Sequence, residues 1–310
     1  MIRPGDRPEA ARIASALSNL RTLGDSLEGI TDDADCETLV AQIIESQRRN
    51  RYFEYLTSAD LSRNPIDPGS SSFDPLRAAV IFERDGQLDE AFWMVFFYTH
   101  FGKNRYSGYG YARDIYGRLG GERWTWLNVS DDVDTFRQWL FDHQDLIRSR
   151  NRPGGFGNHR KYESLDGWSY AGTGSVVESY VHWVGACGHA NRIDQLTSVI
   201  PIAKRFDTVF QSLDEVHRFG RTGRFDYLMT ASKLGLIALR PAHAHLTGAT
   251  GPARGVRLLA TGTIDGKLTH AEMNGVLAKI EDSLGVGYDV LEDALCNWQK
   301  SPSVFMPFRG

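Results

Sequence analysis

The spacing of apolar residues is helical through almost the whole chain, and this feature restricts the fold more than any other. Leu39 and Ile43 share one face of a helix that the pattern predicts over about residues 34–56. The segment Asp89–Phe101 is so rich in aromatic residues that we expect it at the centre of the protein. Strand-like patterning is confined to short pieces such as Arg257–Thr261. These observations predict an all-α protein, built as one compact unit or as two closely packed helical lobes.

Local signals mark where several of these helices begin. Asp74 followed by Pro75 is typical of a helix start, because an oxygen cap precedes a proline in the first turn. Ser130 is expected to open another helix. Thr269 and Glu272 have the spacing of a capping box, in which each side chain accepts a hydrogen bond from the other's backbone N–H.

Composition limits the class of protein. The 310 residues are 41% hydrophobic, which is enough apolar surface for a folded core. The longest strongly apolar run, Ala91–Tyr98, is far shorter than the roughly 20 residues of a membrane helix. The first residues lack an apolar signal core, and three scattered cysteines do not suit a disulfide scaffold. We therefore expect a reduced, cytoplasmic protein.

Positive charge is concentrated in two places although the net charge is −4. That net charge argues against indiscriminate coating of nucleic acid, which depends on dense positive charge. Residues 148–162 nevertheless contain five basic residues and no acidic one, and residues 218–224 contain three arginines and no acidic residue. A solvated surface would explain either cluster alone. The two together, beside glycines and aromatic residues, favour a site for a polyanion.

A Gly-x-x-Gly turn lies between two predicted helices in the second cluster. Gly220 and Gly223 enclose Arg221 and Thr222, and Arg224 follows directly. This pattern is typical of a helix-hairpin-helix, in which backbone N–H groups at the start of the second helix bind a phosphate oxygen. A simple connection between helices is the alternative.

The first cluster ends in a stretch that carries almost every hydrogen-bonding type of side chain. Its residues are Asn158, His159, Arg160, Lys161, Tyr162 and Glu163. Aromatic rings can stack on a base, basic groups can neutralise phosphate, and amide or carboxylate groups can contact a polar base edge. The alternative is the start of a helix with solvated charges.

Two later stretches are weaker candidates. The glycine-rich segment Leu246–Gly255 contains Arg254 and could form an anion-binding nest or a plain connection between helices. Glu292 and Asp293 lie on a mostly apolar helix, where acidic groups need Arg or Lys partners unless they serve a function. The histidines lack the spacing of zinc sites, so we predict no metal site.

Four sequence segments together resemble one family. The segments FGNHRKYESL, FGRTGRFDYL, TGATGPARG and LEDALCNWQKS are similar to the alpha-glutamyl/putrescinyl thymine pyrophosphorylase clade 3 family, and the likeness covers about residues 35–305. That family is similar to the helix-hairpin-helix DNA glycosylases and is linked to hypermodified bases in phage DNA. Some bacterial members are associated with antiphage defence, by excision of glucosylated hydroxymethylcytosine. Related clades resemble enzymes that install amino-acid or polyamine groups on activated thymine.

The resemblance implies an organisation and an activity. It implies an N-terminal helical extension over residues 1–33 and a helix-hairpin-helix glycosylase-like domain over residues 34–310. The implied partner is double-stranded DNA that carries modified bases, with no cofactor, no membrane and no obligatory protein partner. The implied activity is that of a monofunctional DNA glycosylase. A transferase or pyrophosphorylase acting on hypermodified thymine, and a non-catalytic binder of modified DNA, are the alternatives.

The basic clusters and the resemblance together predict which residues contact DNA. They are Gln47, Arg49, His159, Arg160, Lys161, Gly220, Arg221, Thr222, Gly223, Arg224 and Arg254. Gln47 matches a glutamine that fills the stack vacated by a flipped base, and the hairpin around Gly220 would bind the phosphodiester backbone.

The chain departs from the glycosylase superfamily at two catalytic positions. Thr222 stands where bifunctional enzymes carry a lysine, which argues against a Schiff-base lyase. The usual aspartate about eighteen residues later is missing, because no acidic residue lies between Asp226 and Asp265. The catalytic carboxylate must therefore lie elsewhere. The candidate catalytic residues are Asp226, Glu163, Asn158 and Asp293.

Overall fold

The computed structural model describes residues 2–24 and 27–307, apart from the side chain of Asn158, and those residues form helices and loops without a strand. No helix in these ranges is long and apolar enough to cross a membrane. The α-helices are α1 Arg7–Thr22, α2 Asp33–Ser58, α3 Pro75–Arg84, α4 Leu88–Phe101, α5 Gly110–Tyr116, α6 Trp126–Asp131, α7 Val133–Arg150, α8 Thr173–Val184, α9 His189–Thr197, α10 Ile202–Ser212, α11 Arg221–Lys233, α12 Thr250–Thr261, α13 His270–Leu284 and α14 Tyr288–Trp298. The predicted all-α class is confirmed.

Two of the predicted helix starts are confirmed in atomic detail. The Asp74 carboxylate accepts hydrogen bonds from the backbone N–H groups of Leu76 and Arg77, at 3.0 and 3.2 Å, and Pro75 occupies the first helical position of α3. Thr269 and Glu272 form the complete capping box at the start of α13. Local hydrogen-bonding chemistry therefore fixes these boundaries.

The helix start predicted at Ser130 is wrong. Ser130 lies near the end of the short helix α6, and α7 begins at Val133. Asp132 caps α7, because its carboxylate accepts a 3.0 Å hydrogen bond from the backbone N–H of Thr135. An aspartate two positions later therefore supplies the cap that the serine was expected to supply.

The loop prediction for Leu246–Gly255 is wrong from Thr250 onward. The prediction of an extended segment at Arg257–Thr261 is also wrong. Helix α12 covers both from Thr250 onward. A Cβ atom at Gly255 would lie 2.4 Å from the carbonyl oxygen of Leu295 in α14. Glycine at this position therefore allows two helices to approach closely, which sequence alone does not distinguish from a flexible loop.

The chain forms two compact units. Unit 1 contains the described residues up to Phe53 and those from Pro241 onward, and unit 2 contains Glu54–Arg240. In unit 1, α1 packs on α13 and α12 packs on α14, around a core that includes Leu17 and the fully buried Trp298. The division predicted after residue 33 concerns the limits of the family domain and stays a prediction.

Helix α4 lies at the centre of unit 2. Helices α3, α9 and α11 pack against it, and eleven of its fourteen residues are buried. Trp93 and Phe96 on α4 stack against Tyr180 of α8, with ring centroids 6.1 and 4.4 Å apart. The aromatic segment is thus the core predicted from its composition, and it supports the loops described next.

Candidate nucleic-acid interface and active site

Two of the stretches singled out in the sequence meet in unit 2. The Arg160 guanidinium lies 3.3 Å from the Asp226 carboxylate, and the Arg218 Nε lies 3.1 Å from the Glu163 carboxylate. Each ion pair joins one residue of the 158–163 stretch to one residue near the start of α11. We call these four residues the paired site.

The C-terminal end of α4 holds the first stretch in place. The Gly157 N–H donates a 2.7 Å hydrogen bond to the carbonyl of Phe101, and Arg160 Nε donates another of 2.7 Å to the carbonyl of Thr99. A Cβ atom at Gly157 would lie 2.9 Å from the Cα atom of Gly102. The backbone can therefore approach α4 only because glycine occupies position 157.

A buried histidine supports the same stretch from beneath. Burial, together with the charges of Arg160 and Arg218, lowers the pKa of His100 to about 3, so the ring is neutral at physiological pH. The Thr173 hydroxyl donates to the carbonyl of Ser164 and therefore accepts from His100 Nε2, 2.9 Å away. The neutral His100 ring therefore links α4, through Thr173, to the loop at Ser164 without adding a buried charge.

A chain of hydrogen bonds holds α11 against α4 and α9. The carboxylate of Asp89 accepts from His189 Nδ1 at 2.7 Å. His189 Nε2 then accepts from the Tyr180 hydroxyl, which accepts in turn from Tyr227, both at 2.8 Å. Burial lowers the pKa of His189 and raises that of Tyr227, so both groups are neutral. Because Tyr227 follows Asp226 in the chain, this network fixes the helix that carries the carboxylate.

The turn between α10 and α11 lies slightly earlier in the chain than the positions of Gly220 and Gly223 predict. The connection between α10 and α11 is made by residues 213–220, and Arg218 adopts a left-handed φ of +61° there. Gly220 is the N-cap of α11, while Thr222 and Gly223 already belong to its first turn. A Cβ atom at Gly223 would lie 3.6 Å from the Arg160 guanidinium, so the start of α11 directly adjoins the paired site.

All three arginines of residues 218–224 contact other protein groups. Arg218 pairs with Glu163, as described above. The guanidinium of the buried Arg221 lies 4.5 Å from the ring centre of Phe225. Arg224 pairs with Asp214 at 3.0 Å and also lies over an aromatic ring. Contact with DNA phosphate would require Arg224 to exchange this partner, and the phosphate-binding role of the hairpin stays a prediction.

Asp226 combines solvent access with an unfavourable environment for its charge. Its side chain keeps 45% of its surface accessible, yet desolvation by the surrounding protein raises the pKa of the carboxyl above its usual value. Nearby positive charges oppose this shift; they belong to Arg160, His159, Arg221 and Lys233. A carboxylate that solvent can reach, surrounded by cations, is a typical arrangement for acid–base or electrostatic catalysis.

Exposed rings and cations surround the paired site. The Tyr162 and Tyr170 side chains are 81% and 74% exposed, and Tyr170 contacts the ring of His217 at 4.7 Å. His159 and Lys161 are exposed as well. Tyr170 and His217 are not predicted from the sequence, because neither lies in a motif; the one signal is the aromatic pair Trp168 and Tyr170 in a polar loop.

The other predicted residues lie in unit 1. Gln47 donates a 3.0 Å hydrogen bond to Glu9 on α1, and Arg254 is exposed on α12. Arg49 forms an ion pair with Asp293. Asp293 therefore has the arginine partner that an acidic group on an apolar helix needs, and its catalytic role stays a prediction. The side chain of Asn158 lies outside the described residues, so its predicted role is not addressed by the structure.

Comparison with known proteins gives one match. The family model described as alpha-glutamyl/putrescinyl thymine pyrophosphorylase clade 3 matches residues 34–310. Searches of the curated proteins and of the solved structures found no match. The matched range contains all of α2 except its first residue, the helices α3 to α14 and every candidate residue named above. The chain therefore belongs to the alpha-glutamyl/putrescinyl thymine pyrophosphorylase clade 3 family.

Proposed function

We propose that the protein is a monofunctional DNA glycosylase that removes a bulky, hypermodified base from double-stranded DNA. The observation that carries this proposal is the Asp226 carboxylate, which is accessible, has a raised pKa and is surrounded by positive charge. Membership in a family named for modified thymine makes a DNA base the appropriate substrate class. Excision of a glucosylated hydroxymethylcytosine from phage DNA, as a cytoplasmic antiviral defence, is the biological role we propose.

The proposed reaction breaks the bond between C1′ of the deoxyribose and the base nitrogen. The base must first leave the stack so that its glycosidic bond can reach a carboxylate. The bonding electron pair departs with the base, and positive charge develops on the sugar. Asp226 stabilises that charge and accepts a proton from the water that attacks C1′. The departing base takes up a proton from solvent, Asp226 returns its proton to solvent, and the products are a free base and an abasic site.

The residues around Asp226 have distinct roles in this proposal. Arg160 fixes the orientation of the carboxylate through the ion pair, and its positive charge favours the ionised form. The exposed Tyr162 and Tyr170 rings offer surfaces on which bases can stack. The exposed Lys161, together with the N–H groups at the start of α11, would bind the phosphodiester backbone.

The absence of an amine at position 222 supports hydrolysis without strand cleavage. Thr222 is exposed in the first turn of α11 and cannot form an imine with the sugar. We therefore expect intact strands after base release, with cleavage only after alkali or heat. A protein–DNA adduct trapped by borohydride would contradict this, and Lys233, whose charge acts on Asp226, would be the first residue to test.

The family description itself favours a second candidate function. It names a pyrophosphorylase, and such an enzyme would act on a diphosphate group attached to a modified thymine rather than on the glycosidic bond. A pyrophosphorylase would require the same contacts with the DNA backbone, so those contacts do not distinguish it from a glycosylase. The products of the reaction do.

Product analysis on modified DNA tests the proposal directly. Purified protein is incubated with duplexes that carry glucosylated hydroxymethylcytosine, hypermodified thymine or only ordinary bases. Mass spectrometry then detects the free base, and alkali treatment detects abasic sites. We expect both products from one modified duplex and none from the ordinary duplex. A nucleoside of changed mass would instead support transfer or diphosphate chemistry, and unchanged DNA would leave a binding protein as the explanation.

A further inference from the structure

We propose that unit 1 contains a separate binding site for a phosphate group. A cavity of about 570 Å³ lies between the start of α12 and the loop that precedes α13. Its polar lining includes Arg254, Arg257, Lys267 and His270. We call these four residues and the space between them the basic cavity.

The cations of the basic cavity have no ionic partner within the part of the chain that the structure describes. Arg254, Arg257 and Lys267 take part in none of its ion pairs, whereas Arg48, also in unit 1, pairs with Asp6 at 2.7 Å. The acidic group in the lining is Asp265. Three permanent positive charges therefore face one negative charge across a space without protein atoms, and this imbalance favours an anionic ligand.

The backbone at the cavity adds further donors. Thr250 begins α12, and its N-cap Ala249 has no side chain that could accept a hydrogen bond from the first turn. The first N–H groups of a helix have no acceptor within the helix, and they carry partial positive charge. Gly248, Ala249 and Thr250 line the cavity, so the Thr250 N–H lies at its edge, whereas Pro252 in the same turn has no N–H. The side-chain cations and the helix start thus favour the same kind of ligand.

A phosphate group fits this arrangement. Two guanidinium groups offer paired N–H donors, which match the oxygen atoms of a phosphate group in bidentate geometry. Arg254 and Arg257 lie three positions apart on α12 and therefore on neighbouring sides of the helix. The cavity is larger than a single phosphate group, so an organic part can remain attached. The phosphate belongs either to a nucleic-acid backbone or to a free phosphate compound.

Binding measurements on the full chain test this site without any need for base release. The test variant is Arg254→Gln with Arg257→Gln. The control is Arg7→Gln with Arg21→Gln, which removes two exposed arginines of the same unit that do not line the cavity. Circular dichroism and the melting temperature establish that each variant is folded. The probes are inorganic phosphate at constant ionic strength, measured by calorimetry, and an unmodified 20-base-pair duplex.

We expect the wild type and the control variant to bind at least one of the two probes with the same affinity. In the test variant, phosphate affinity at least tenfold weaker would assign the site to a free phosphate compound. A salt slope for the duplex that is smaller by up to about 1.8, with unchanged phosphate binding, would assign it to the DNA backbone. Equal behaviour of test and control with both probes would overturn the proposal. Lys267→Gln, on the loop facing α12, repeats the test if the double variant does not fold.

Discussion

The paired site of unit 2 and the basic cavity of unit 1 both collect arginines, but they differ in what the arginines contact. In unit 2, Arg160 and Arg218 each face a carboxylate. In the basic cavity, Arg254 and Arg257 line open space and take part in none of the ion pairs that the structure describes. Paired cations control the charge of a carboxylate, whereas unpaired cations attract an external anion. Arginine thus indicates a catalytic carboxylate in the paired site and an anion-binding site in the basic cavity.

The largest effect that this comparison predicts concerns the carboxylate itself. Asp226→Asn keeps the shape of the side chain but removes its charge. We expect base release to slow by about 100- to 1,000-fold, because charge on the developing sugar cation is no longer stabilised. DNA affinity should stay within about twofold. Single-turnover kinetics and a binding titration on the same modified duplex measure the two quantities.

Asp214→Asn is the matched control for that variant. Asp214 is also paired with an arginine, but its side chain is 78% exposed and lies outside the paired site. Its substitution should leave base release unchanged. Full activity in Asp226→Asn would remove Asp226 from the mechanism and leave Glu163 and Asp293, each of which is also paired with an arginine, as the carboxylates to test.

A smaller effect is expected for the hairpin arginines. If the start of α11 contacts the DNA backbone, Arg221→Ala with Arg224→Ala should lower the slope of log affinity against log salt by about 0.9 for each of these arginines that contacts a phosphate. Arg63→Ala with Arg123→Ala is the control, because both arginines are ion-paired on the surface of unit 2. Equal slopes for the two double variants would show that α11 does not bind phosphate.

A third prediction concerns the helix that forms one wall of the basic cavity. Gly255→Ala places a methyl group against the carbonyl oxygen of Leu295, and we expect the free energy of unfolding to fall by about 1–3 kcal/mol. Gly275→Ala is the control, since nothing lies within 4 Å of its Cβ position in α13, and it should be neutral or stabilising. Chemical denaturation measures both. An undiminished stability in Gly255→Ala would mean that α12 and α14 can separate.

The smallest predicted effect is a shift in the pH profile of base release. Activity requires ionised Asp226 and falls as pH decreases through the pKa of that group, which burial has raised. The charge of Arg160 lowers the same pKa. Removal of this charge in Arg160→Gln therefore moves the acidic limb of the profile to higher pH, while Arg160→Lys keeps it near its original position. A limb that moves to lower pH, or does not move, would contradict the proposed role of Arg160.

Helices could be predicted from sequence where local chemistry determines them. The cap at Asp74 and the capping box at Thr269 need only neighbouring atoms, so their residue types are sufficient evidence. The start of α12 could not be predicted in this way. Gly251 and Gly255 signal a loop by propensity, but Gly255 is required by the close approach of α12 to the Leu295 carbonyl of α14, which no local pattern records.

The candidate site could be predicted only in part, for a similar reason. Charge clustering singled out the stretches around Arg160 and Arg221 separately. Their meeting through Arg160 and Asp226 depends on how α4 and α11 pack, and a single sequence does not specify this. The hydrogen-bonded chain from Asp89 to Tyr227 was equally inaccessible, because its members lie 138 positions apart at the extremes and belong to no motif.

Helix α4 has almost no outer face, since eleven of its fourteen residues are buried. Most surface helices can accumulate neutral substitutions on their solvent side, but this one offers few such positions. A change at Phe96 affects the packing of Tyr180, and a change near Thr99 alters the acceptor of Arg160. Among related chains that retain this architecture, evolutionary drift should therefore be slowest in α4. Any lineage that does alter it should carry compensating changes in the loop around position 160.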